Sequence, residues 1–128
     1  MSNNEYTTEY IIEKRYNNTW KIVEMVNVVK YNVGYRAAFF CSSVEHLEKA
    51  VTVFRQKLNQ ANLVYTMFKL AYDNYEFHLQ NGSVITVRIP DTRIRGYRFD
   101  AMFIDEDIDQ AVKEYCRVKY NRNMVTHE

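Results

Sequence analysis

The sequence predicts an α/β domain, a three-layer sandwich with a largely parallel sheet to which a β-hairpin is added. Three observations point there. Ala37-Ala38-Phe39-Phe40-Cys41 is continuously apolar, the pattern of a parallel strand covered on both faces. An amphipathic helix follows it at once, as a crossover between parallel strands requires. Asn81-Gly82 then separates two β-rich runs, a strong hairpin signal because tight two-residue turns favour residues that tolerate positive φ.

The elements follow in order. Residues 1–8 and 121–128 are expected to be flexible polar tails of a single domain spanning 1–128, and Tyr10-Ile11-Ile12 a short strand. From Trp20 to Tyr31, Lys21, Glu24, Asn27 and Lys30 recur every third position among apolar residues. So narrow a polar stripe predicts a helix enclosed by other elements, capped by Asn18 or Thr19, with a strand as the alternative that its β-branched content leaves open. After the strand Tyr35–Cys41, Ser42 stands three residues before Glu45, a capping-box spacing. Val44, Leu47, Val51, Phe54 and Leu58 mark one face of the helix it opens. Strands are expected over Val64–Ala71, Tyr75–Leu79 and Val84–Ile89, the last ended by Pro90. Asp91–Arg98 reads as a loop or short helical turn and Phe99–Ile104 as a buried strand. Ile108, Ala111, Val112, Tyr115 and Cys116 recur at helical spacing toward Tyr120.

Composition narrows the function classes. The net charge of +1 offers no broad electrostatic footprint for nucleic acid. Cys41 and Cys116 sit alone in apolar surroundings and read as buried hydrophobes of a reducing compartment. His46, His78 and His127 are scattered and read as surface or structural residues, since no partner stands at metal-ligand spacing in the sequence. No apolar run is long enough for a membrane span, and the amino-terminal residues lack the pattern of a secretory signal. A cytoplasmic location is expected.

The order of three segments carries more than composition does. Asn81-Gly82-Ser83-Val84-Ile85, then Arg95-Gly96-Tyr97-Arg98-Phe99-Asp100, then Ala101-Met102-Phe103-Ile104-Asp105-Glu106 resembles the Walker B neighbourhood of phage terminase large subunits and related helicase-like P-loop ATPases. The resemblance spans residues Arg15 to Tyr115. It implies half of a RecA-like ATPase core, with Asp105 orienting magnesium and Glu106 acting as general base. The phosphate-binding pattern Gly-x-x-x-x-Gly-Lys-Ser/Thr is degenerate in the window Arg15-Tyr16-Asn17-Asn18-Thr19-Trp20-Lys21-Ile22. Only Lys21 remains, as a vestigial nucleotide contact. Arg15 and Trp20 stand at the glycine positions, and Ile22 replaces the metal-binding hydroxyl. The resemblance therefore implies a viral ATPase-like domain, in the host-cell cytoplasm, without catalysis and without a cofactor; ATP and Mg2+ enter only if it is an unconventional NTPase of packaging or helicase type.

A structural reading stands beside this one: the acids from Asp105 to Asp109 cap and open the last helix, with Asp107 three residues before Gln110, while the cluster Asp105, Glu106, Asp107 and Asp109 also offers oxygen ligands to an adventitious divalent ion. Two binding modes are also expected. Eleven tyrosines exceed the needs of a core this size, and Tyr suits protein interfaces, so a protein partner or self-association leads. Arg88, Arg93, Arg95 and Arg98, interleaved with Tyr97, supply the alternative of a nucleic-acid-binding accessory factor.

Overall fold

Arg36–Phe40 forms β1, which bonds to a parallel strand on each side. The computed structural model of the protein describes residues 18–91, 98–105 and 107–120. Among these, α1 (Thr19–Lys30) precedes β1, followed by α2 (Val44–Gln60), β2 (Tyr65–Ala71), β3 (Asn74–Leu79), β4 (Val84–Arg88), β5 (Ala101–Ile104) and α3 (Gln110–Tyr120). The sheet order is β2-β3-β4-β1-β5. β1 runs parallel to β4 and β5, while β2-β3 and β3-β4 are antiparallel. The expected largely parallel sheet is thus a mixed open one, because short turns link β2 to β3 and β3 to β4, and short turns allow only antiparallel neighbours.

Side-chain alternation along β1 divides the core in two. Ala37, Phe39 and Cys41 pack with α1 and α2, whereas Ala38 and Phe40 pack with Phe99, Ile108 and Cys116 on the side of α3. The three-layer expectation and the central place of β1 both hold. β5 differs from its expectation: it is an edge strand, bonded to β1 alone among the described residues, and its four residues are only partly buried. An apolar run of four does not distinguish centre from edge.

α1 is less enclosed than its composition predicts. Ile22, Met25, Val26 and Val29 face the core, but Trp20, Val23 and Tyr31 are exposed, since α1 lies in an outer layer. Its N-cap is Asn18, whose side chain makes no capping bond. The cap of α2 is Ser43, which accepts the His46 N–H, in place of the expected Ser42. At α3 the Asp109 carboxylate accepts the Ala111 N–H at 3.0 Å, so Asp109 and not Asp107 fills the capping role. Tyr10–Ile12 and both expected tails lie outside the described residues.

The Asn81-Gly82-Ser83 segment ties the amino ends of β1 and β4 together. Gly82 N–H bonds to Leu79 O and Leu79 N–H to Ser83 O, with Gly82 at φ 89°. This is a three-residue loop closed by a left-handed glycine, instead of the two-residue turn expected. Asn81 Nδ2 donates to Val29 O at 2.9 Å, and Ser83 Oγ donates to Asn32 O at 2.6 Å while accepting Tyr35 N–H at 3.0 Å. Ser83 is fully buried. Ser83→Ala would leave the half-buried Tyr35 N–H and Asn32 O without their shared partner, at an expected loss of about 1–3 kcal/mol for the two bonds. A lower urea midpoint at unchanged slope would register it.

Candidate functional site

At the carboxyl ends of β1 and β5 the chain leaves toward opposite faces of the sheet, to α2 on one side and α3 on the other. Such divergence opens the crevice where open α/β sheets hold ligands. Asp105 stands at its mouth. The backbone bond from Asp105 N–H to Phe40 O, 2.9 Å, continues the β1–β5 ladder, and the carboxyl group follows Phe103 by two residues onto the α2 side.

That carboxylate is 2% exposed at the residue level and densely bonded. Oδ2 accepts Ser42 N–H at 3.3 Å and the Ser42 hydroxyl at 2.9 Å, and lies 3.2 Å from His46 Nδ1. Oδ1 accepts Asp107 N–H at 3.2 Å, which shapes the turn toward α3. Ser42 Oγ is 2.7 Å from His46 Nδ1. With the single hydroxyl proton directed to Asp105, Nδ1 must carry the hydrogen of the remaining bonds. Burial, the strongest influence on Asp105, pushes its pKa up. The bonds from Asp107 N–H, the Ser42 hydroxyl, His46 and Ser42 N–H together outweigh it and hold Asp105 below the ordinary carboxylate value.

The residues are those of a hydrolase triad but their order is not. In a relay, one imidazole nitrogen takes the serine proton while the other is held by the acid. Ser42 and Asp105 instead share the same nitrogen, and Ser42 donates straight to the carboxylate. The cluster is a closed ring of bonds with its negative charge set at the start of α2, where the helix dipole favours an anion.

The other expected site residues do not join it in one constellation. Lys21 Nζ lies over the Phe103 ring at 4.3 Å and the Trp20 ring at 5.0 Å, cation–π contacts that hold its charge. These residues line a groove of about 330 Å³ between α1 and the edge of β5. Arg88 is in register with Phe40 at the carboxyl end of β1, whereas Arg98 stands two residues before Asp100, which binds the Arg36 backbone at the amino end. The two arginines therefore sit toward opposite ends of the sheet. Arg93, Arg95, Tyr97 and Glu106 lie outside the described residues. Ser42 and His46 are the participants that sequence reading missed. Their i, i+4 spacing at a helix start was visible, but their partner is 63 residues from Ser42.

A second candidate surface lies at the opposite edge. Phe68 and Leu70 of β2 and Tyr72 just beyond it are 44%, 53% and 69% exposed, on a strand paired only with β3 among the described residues. The Phe68 ring meets His78 edge-on at 4.9 Å, and His78 Nε2 is 2.8 Å from Glu76.

Fold and site together define a small α/β domain with a mixed open sheet and, at its switch point, a Ser-His-Asp cluster built on the buried Asp105. Comparison with family models, curated proteins and solved structures finds no match.

Proposed function

We propose that the chain is a non-catalytic protein-binding domain, built on a scaffold derived from the P-loop ATPase cores of viral packaging or helicase motors. The observation that carries the binding half is the exposed apolar surface of Phe68, Leu70 and Tyr72 on an edge strand. Contiguous aromatic and aliphatic surface of this kind marks interaction sites. Its neighbours Glu76 and His78 pair with each other, which suits a protein surface better than the polyphosphate backbone of a nucleic acid. Loss of catalysis is supported by the placement of the two vestigial charges. Lys21 is held by aromatic rings, and Asp105 by internal hydrogen bonds.

Two measurements test this reading. Calorimetric titration with ATP and magnesium should give no binding heat. Site-specific cross-linkers placed beside Phe68 should trap a protein partner, and Phe68→Glu should abolish the product while leaving the circular dichroism spectrum unchanged. An equal yield from Phe68→Glu would remove β2 from the interface. Salt-sensitive RNA or DNA binding that falls on changing Arg88 or Arg98 would instead favour the accessory-factor reading.

A further inference from the structure

We propose that the crevice between β1 and β5 is a binding site for one divalent transition cation of the zinc, cobalt or manganese class, held by His46, Asp105, Asp107 and the hydroxyl of Ser42. Three donor atoms already form a compact triangle: Ser42 Oγ to His46 Nδ1 is 2.7 Å, Ser42 Oγ to Asp105 Oδ2 is 2.9 Å, and His46 Nδ1 to Asp105 Oδ2 is 3.2 Å. Ligands about 2.0–2.2 Å from a shared cation, at angles between octahedral and tetrahedral, stand roughly 2.8–3.6 Å apart. The triangle therefore has nearly the size of one face of a coordination shell. A ligand atom of Asp107 joins those of His46 and Asp105 within 4.8 Å, adding a second carboxylate.

The donors come from two segments that approach only through the parallel pairing of β1 with β5, and the crevice between diverging strands is where this architecture admits ligands. Access is open from one side, since the His46 side chain is 34% exposed and Asp107 is exposed. Without metal, the protons on Ser42 Oγ and His46 Nδ1 balance the carboxylate; on binding, the imidazole proton moves to Nε2 and Nδ1 presents its lone pair. The imidazole decides the metal class. Magnesium prefers an oxygen and water shell, whereas imidazole with carboxylates suits zinc, cobalt and manganese. This site is independent of the β2 surface and differs from a magnesium site built around Asp105 and Glu106, because His46 is its selecting ligand.

The test uses the untagged full chain stripped with EDTA. Titration with ZnCl2 should show one ion bound per chain, CoCl2 should develop visible ligand-field absorption, and MgCl2 should do neither. His46→Ala and Asp107→Asn should each weaken zinc binding at least about tenfold, since loss of a directly coordinating group should cost no less than the roughly 10–100-fold typical of outer-shell changes. His78→Ala, a control at another exposed imidazole, should bind as the parent does. Asp107→Asn changes an exposed side chain, so it stays informative if His46→Ala is poorly folded. Absence of stoichiometric zinc binding, or parental zinc affinity in both Asp107→Asn and His46→Ala, overturns the proposal.

Discussion

Asp105→Ala is expected to destabilise the domain by about 3–5 kcal/mol, because several donors lose one acceptor at once and each such loss costs about 1–3 kcal/mol when the donor is buried. The substitution leaves Ser42 N–H, the Ser42 hydroxyl, His46 Nδ1 and Asp107 N–H without their shared acceptor. It also removes the negative charge at the start of α2 and the bond that shapes the turn into α3. Asp105→Asn, which keeps the shape and one acceptor oxygen, should lose less. The two variants separate scaffold from chemistry: a carboxylate kept for metal-assisted hydrolysis alone would give a stable Asp105→Ala protein. A pH series adds the sign. Because the folded pKa of Asp105 lies below its ordinary value, its contribution is complete above about pH 4, the unfolded carboxylate range. It is lost as pH falls through the folded pKa. Denaturant melts should therefore show the gap between parent and Asp105→Asn large at neutral pH and smaller at the acid end.

Phe39→Ala is the second large effect, again about 3–5 kcal/mol. Phe39 is fully buried in β1, with its ring 5.3 Å from Phe54 in an edge contact and 4.5 Å from Phe103. Its removal opens a void where α2, β1 and β5 meet. Edge-on and tilted ring pairs add to the area lost from burial, and a domain with a typical stability of about 5–15 kcal/mol would have little left. Calorimetric melting would show a fall of roughly 10 °C or more. Phe40→Leu, on the opposite face, changes volume less and should remain within about 1.5 kcal/mol.

The elements that were legible in the sequence are those in which local pattern and burial agree. Ala37–Cys41 is buried on both faces as its uninterrupted apolar run implies, and the α2 face of Leu47, Val51, Phe54 and Leu58 is the buried one. Buried Cys41 and Cys116 also match their surroundings, with burial lifting the Cys116 thiol to about 11. What escaped depends on chain segments meeting from a distance. Ser42 has the spacing of a cap, but a carboxylate from another strand claims it, and Ser43 caps instead. The edge position of β5 reflects pairing order, which four apolar residues do not encode. The Asn81-Gly82-Ser83 motif was legible as a turn; its bonds to Val29, Asn32 and Tyr35 became visible only once α1 and β1 were set against β4.

The pairing of β1 also bears on how the chain is made. Its parallel neighbours are encoded well downstream, and the polar contacts beside it span 63 residues between Ser42 and Asp105 and 64 between Arg36 and Asp100. At roughly 5–20 residues per second of synthesis, that separation corresponds to roughly 3–13 s. During this interval Ala37–Cys41, the most apolar strand, leaves the ribosome before β5 exists to flank it. Nascent α1 and α2 cover at most one of its faces. The other waits for Phe99, Ile108 and Cys116, so Ala38 and Phe40 have no core to join until the last part of the domain has been made.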